Sequence, residues 1–130
     1  MKSADSEPAS LTGIRILVVD DDYMVASECS TVLRKHGAQV LGPVPDIARA
    51  RASLFSETPD CILLDINLKG DMAFDLAREL VVRGIPIIFT TGYDSSVLPV
   101  SPRGRSLLQK PVETRELVQV VRRETRLRVA

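Results

Sequence analysis

Five short apolar runs, at residues 14–19, 38–41, 61–64, 86–90 and 106–109, are nearly continuous instead of alternating with polar residues. A strand with one face in water alternates in polarity, so uninterrupted runs of this length are expected of parallel strands covered on both faces. The segments between them carry helical spacing. Residues 23–36 place Val25, Cys29, Val32 and Leu33 on one stripe and stop at Gly37. Residues 46–57 carry Ile47, Ala50 and Leu54, with Asp46 as N-cap and Pro59 just beyond. Residues 72–83 carry Ala73, Leu76, Ala77 and Leu80 and stop at Gly84, and residues 114–127 carry Leu117, Val120 and Val121 with Thr114 as N-cap. Strand and helix alternate, which predicts an open α/β sandwich. One interval breaks the pattern: residues 93–105, YDSSVLPVSPRGR, hold Pro99, Pro102 and Gly104 and predict one turn of helix at most, over 94–98.

A chain of 130 residues suits one domain that buries about two-thirds of its unfolded surface and needs no staple. Residues 1–13 are polar and aperiodic and are expected to form a flexible N-terminal tail, with the domain spanning 14–130. They hold no hydrophobic signal region, and no run is long enough for a membrane span. The two cysteines, Cys29 and Cys61, lie in apolar stretches and read as buried hydrophobes in a reducing compartment, so a cytoplasmic location is expected. The 17 basic and 17 acidic residues cancel, but unevenly. Residues 1–102 hold 9 basic and 14 acidic side chains, whereas residues 103–130 hold 8 and 3, with Arg115, Arg122, Arg123, Arg126 and Arg128 on the last helix. A solvated face is the plainer account of those arginines, and a docking surface is the alternative.

Asp20, Asp21 and Asp22 follow the first run directly. In an open parallel sheet, ligands bind beyond the carboxyl ends of the strands. The third run ends in Asp65, the fourth in Thr90 and Thr91, and the fifth in Lys110 followed by Pro111. Taken singly, each has a plainer account: an aspartate run as solvated loop or helix cap, Asp65 as a turn residue, Lys-Pro as surface punctuation, the threonines as strand formers. Together, four strand ends aim carboxylates, a hydroxyl and an ammonium at one place. Crowded carboxylates repel and favour a cation. Oxygen-only ligands suit Mg²⁺, which often assists phosphate binding. Lys110 and a threonine hydroxyl can serve phosphoryl oxygens, and an aspartate beside them can act as a nucleophile toward phosphorus. The pattern points to Mg²⁺-dependent phosphoryl transfer to a carboxylate.

Residues 14 to 127 resemble the receiver domain of two-component response regulators, through RILVVDDD, CILLDINLKG, PIIFTTGYD and LLQKP. The resemblance implies a flavodoxin-like (βα)5 fold with strand order 2-1-3-4-5. It implies Asp65 as phosphoacceptor from a sensor histidine kinase, Asp20 and Asp21 as the acidic pair for Mg²⁺, and the backbone carbonyl of Asn67 as a further ligand. Thr91 matches the switch threonine, Lys110 the lysine, and Pro111 the proline after a cis bond.

The chain departs from the family pattern in two places. Leu107 stands where a receiver has its mobile aromatic, and the interval for the fourth helix is short and proline-rich. The fourth run is similar to a variant subgroup with a P-F-x-F-A-T-G-Y strand, in which Tyr93 is a candidate replacement ring or a plain loop aromatic, and HWE-type histidine kinases are the implied partners. By the same resemblance, Asn67 and Tyr93 tune hydrolysis. His36, the one histidine, ends a helix, where a cation is favoured. No P-loop or dinucleotide motif occurs.

The resulting expectation is a single-domain regulator without a DNA-binding segment. It would signal by phosphorylation-dependent protein binding or act as a phosphate sink, and it would be no enzyme beyond its own phosphorylation and dephosphorylation. A phosphorylation-independent pseudo-receiver scaffold is the alternative. A small aspartyl phosphatase would place D-x-D after the first strand with a supporting acid, whereas DDDY here has no corresponding acid support.

Overall fold

The computed structural model describes residues 10–68, 71–92 and 106–129, the side chains of 71, 72 and 127–129 excepted. Tyr93 and the interval in which a short fourth helix was expected lie outside the described residues. In chain order the elements are β1 Arg15–Val19, α1 Tyr23–Lys35, β2 Gln39–Val44, α2 Ile47–Ser56, β3 Cys61–Asp65, β4 Asn67–Leu68, β5 Asp71–Met72, α3 Ala73–Arg83, β6 Ile87–Thr91, β7 Ser106–Gln109 and α4 Thr114–Val129.

The five main strands form a parallel sheet in the order β2-β1-β3-β6-β7, which is 2-1-3-4-5 when only these strands are counted. This is the flavodoxin-like sandwich. Its strands are apolar because both faces are covered. Ile16, Val18, Cys61, Leu63, Ile88 and Leu108 pack beneath α1 and α4 with Cys29, Leu33, Leu117 and Val121. Leu17, Val19, Ile62, Leu64, Ile87 and Phe89 pack beneath α2 and α3 with Leu54, Leu76 and Leu80. Because successive strand residues face opposite sides, each run feeds two cores at once.

Local signals set the helix ends. Asp22 Oδ1 accepts from the N–H groups of Met24 (3.0 Å) and Val25 (3.3 Å), and Asp46 Oδ1 accepts from Arg49 N–H (2.8 Å), which satisfies N–H groups that the first turns of α1 and α2 leave open. Gly37 ends α1 at φ +100°, where a Cβ would also meet Thr12 Oγ1 at 2.6 Å. Thr114 is not the cap of α4: the Glu113 carbonyl accepts from Leu117 N–H (2.9 Å), so the cap falls one residue earlier and Thr114 opens the helix.

Three departures from the sequence pattern have physical causes. β2 runs on to Val44 through a cis Gly42–Pro43 bond; as an edge strand it tolerates a proline and an irregular register against β1. A two-strand antiparallel pair, β4 with β5, follows the end of β3. Leu11, within the stretch read as tail, is fully buried among the α1/α4 core residues, and its N–H donates to His36 O (2.8 Å). An isolated leucine has no period to betray it, yet here it seals the end of α1. Among the described residues, no helix is long and apolar enough to cross a membrane.

Candidate functional site

The carboxyl ends of β1, β3, β6 and β7 converge because β3 lies between β1 and β6, and β7 lies beside β6. Asp20 directly follows β1, Asp65 ends β3, Thr91 ends β6 and Lys110 directly follows β7. Carboxylate oxygens of Asp20, Asp21 and Asp65 all lie within 4.8 Å of one another. Asp20 and Asp65 are buried, and Asp21 is half-buried. The third aspartate takes a different part, because Asp22 caps α1.

Lys110 reaches into this group. Its Nζ lies 3.0 Å from Asp20 Oδ2 and 3.3 Å from Asp65 Oδ2. Backbone amides fix the acids in turn: Asp22 N–H donates to Asp20 Oδ1 (2.9 Å) and Asn67 N–H to Asp65 Oδ1 (3.1 Å). The surrounding loops are tied to the end of β6, since Ile66 N–H donates to Thr90 O (2.9 Å) and Lys110 N–H to Thr91 O (2.7 Å). The Lys110–Pro111 bond is cis.

The electrostatics follow from this crowding. Burial, then repulsion from Asp20, pushes the Asp65 carboxyl up to about 6, against the opposing pull of the Asn67 N–H and Lys110. Burial works against charge on Lys110, but hydrogen bonding and attraction from Asp20 and Asp65 outweigh it and hold the ammonium above its ordinary value. Three carboxylates against one ammonium leave a surplus of two negative charges, which a divalent cation matches. Around Mg²⁺ bonded to oxygen at about 2.1 Å, neighbouring and opposite ligand oxygens are about 3 and 4.2 Å apart. A small inward closure of the three aspartates therefore fits that ion, and the all-oxygen donor set suits its chemistry.

Thr91 is buried at the end of β6. Leu107 is half-buried and packs against the α2/α3 core, level with Phe89, which pairs with Phe74 at a ring separation of 5.9 Å. One residue near the site is not evident from strand ends: the Cys29 thiol is raised to about 11 by burial and by the charges of Asp20 and Glu28, with Lys110 opposing. Its place on the buried stripe of α1 was legible, but the packing of that stripe beneath the strand ends was not.

A family model described as "Response regulator receiver domain" matches residues 16–122. The DNA-binding response regulator MtrA of Mycobacterium tuberculosis is 34% identical over 116 residues, covering 86% of this chain and 50% of MtrA. The chain spans about half the length of the curated relatives it matches. Among solved structures, the response regulator PhyR from Brucella abortus superposes with a TM-score of 0.83 at 24% identity, over 95% of this chain and 52% of that one. A CheY-like receiver domain protein from Methanospirillum hungatei matches at TM-score 0.77 and 26% identity, over 89% of this chain and 96% of that one.

Proposed function

The chain belongs to the response regulator receiver domain family, and from that premise we propose that it accepts a phosphoryl group on Asp65 from a sensor histidine kinase, in the presence of Mg²⁺. The observation that carries the reading is the meeting of Asp20, Asp21 and Asp65 within 4.8 Å, with Lys110 bridging two of them.

In the transfer, an Asp65 carboxylate oxygen forms a bond to phosphorus as the phosphorus–nitrogen bond of the phosphohistidine breaks. That electron pair returns to the imidazole, which keeps or regains a proton. Asp20, Asp21, Asp65 and the Asn67 carbonyl are the proposed holders of Mg²⁺, which when bound neutralises the carboxylates and the incoming phosphoryl oxygens. Lys110, already at Asp65, neutralises further charge, and the Thr91 hydroxyl donates to a phosphoryl oxygen.

The protein is proposed to catalyse only its own phosphorylation and dephosphorylation, in the cytoplasm. Output is phosphorylation-dependent protein binding, or phosphate drainage from a shared kinase, with HWE-type kinases as the proposed partners. Retention of all three acids and the lysine supports this over a phosphorylation-independent scaffold. The test is addition of beryllofluoride with Mg²⁺, followed by amide NMR. The expected result is saturable shifts centred on Asp65, Thr91 and Lys110, absent in Asp65→Asn; an unchanged wild-type spectrum overturns the proposal.

A further inference from the structure

Packing assigns each strand end to a face of the sheet. Val18, Leu63, Ile88 and Leu108 lie in the core beneath α1 and α4, whereas Val19, Leu64, Phe89 and Leu107 face α2 and α3. Two residues beyond the first four stand Asp20, Asp65, Thr90 and Lys110. Alternation therefore puts all four on the α1/α4 face, and Thr91 on the other.

Register makes this placement specific. Thr90 is level with Asp65 on β3 and with Leu108 on β7. Lys110 is rooted at the end of β7, yet its ammonium contacts Asp65 on β3 and Asp20 after β1, so its side chain crosses β6. The crossing spans two strand spacings, about 10 Å. The β6 residues on that face along this path are Thr90, level with Asp65, and Gly92, which follows the strand level with Lys110, so Thr90 supplies the side chain.

Thr90 is 2% exposed, and its carbonyl is already engaged by Ile66 N–H. Valine would fill the same volume without a polar atom, and a buried hydroxyl is costly unless it is hydrogen-bonded. On that face its polar neighbours by register are Asp65, level with it on β3, and, two residues either side of its β7 partner Leu108, Lys110 and Ser106, the last already bonded to Glu124 and Arg123. An ammonium carries three donors, and the two carboxylates draw it toward β1 and β3.

We infer that Thr90 is a positioning residue for Lys110: when Asp65 carries a phosphoryl group and no longer offers a full carboxylate, the Thr90 hydroxyl accepts an ammonium N–H and holds the lysine at the phosphoryl oxygens. This deepens the phosphoacceptor reading and rests on it.

The test compares wild type, Thr90→Val and Thr90→Ser for the rate of labelling by a small phosphodonor with Mg²⁺ and for the lifetime of the labelled form. In parallel, the Lys110 Nζ chemical shift is read in nitrogen-labelled protein with beryllofluoride and without it. Loss of one charge-assisted hydrogen bond predicts labelling about tenfold slower in Thr90→Val, with Thr90→Ser within about twofold of wild type. Equal rates and lifetimes in all three proteins overturn the inference, as does Thr90→Ser failing like Thr90→Val, because serine keeps the hydroxyl and its failure would assign the effect to packing at this position. Absence of label in the wild type overturns the phosphoacceptor reading and this inference with it; label in the wild type with the same Lys110 signal in all three beryllofluoride-treated proteins overturns this inference alone, and a signal displaced in Thr90→Val alone supports it.

Discussion

The Lys110 ammonium sits 3.3 Å from Asp65 Oδ2, although the two residues are 45 positions apart and lie at the ends of strands separated by β6. The parallel order brings them to one edge, and the reach of a lysine closes the remaining gap. This pair, with Asp20 on its far side at 3.0 Å, sets the charge balance of the site.

Removing the cation exposes the repulsion it offsets. Lys110→Met is expected to lower stability at pH 7 in chelator by about 2 kcal/mol, because buried carboxylates lose their paired charge. The urea midpoint measures this, and the deficit shrinks near pH 5 as Asp65 gains a proton.

Asp65 has the opposite effect on the metal-free protein. Its carboxyl titrates near 6 in the folded chain against 3.8 as the ordinary value. The native state thus binds more protons between those values, and this group's contribution to stability falls as pH rises from about 4 to about 6. Asp65→Asn is expected to flatten that part of the pH profile and to stabilise the chelated protein at pH 7 by about 1 to 2 kcal/mol. A profile unchanged by the substitution contradicts the assignment.

Much of this arrangement was legible in the sequence. The five runs carry the sheet because doubly covered strands must be apolar on both faces, and Asp20, Asp65, Thr91 and Lys110 follow from where those runs stop. Leu11, the β4–β5 pair and the passage of β2 through Pro43 were not legible, since each depends on contacts far along the chain and on no repeat of its own. The division of labour within Asp20, Asp21 and Asp22 came from the family resemblance and not from the residues by themselves. Three identical side chains in a row differ only in direction: Asp22 turns to the amides of α1 while Asp20 meets Lys110.

Millimolar Mg²⁺ is expected to raise the Tm of wild type by a few degrees, as a ligand of the folded state does by mass action. Asp21→Ala is expected to lose most of that rise, since it removes the half-buried carboxylate of the three. An undiminished response in the variant locates the ion elsewhere.

The Cys29 thiol, raised to about 11 and 5% exposed, is expected to resist alkylation at pH 8 in the folded protein and to react at once in denaturant. Mass spectrometry of iodoacetamide-treated samples reads the difference, and rapid modification of the native protein contradicts the packing of α1 over the sheet.

The most direct test of the central claim is the intact mass after incubation with a small phosphodonor and Mg²⁺. One phosphoryl group is expected to add to the wild type, an addition lost on chelation and absent in Asp65→Asn. No added mass in the wild type, or the same added mass in Asp65→Asn, contradicts the claim.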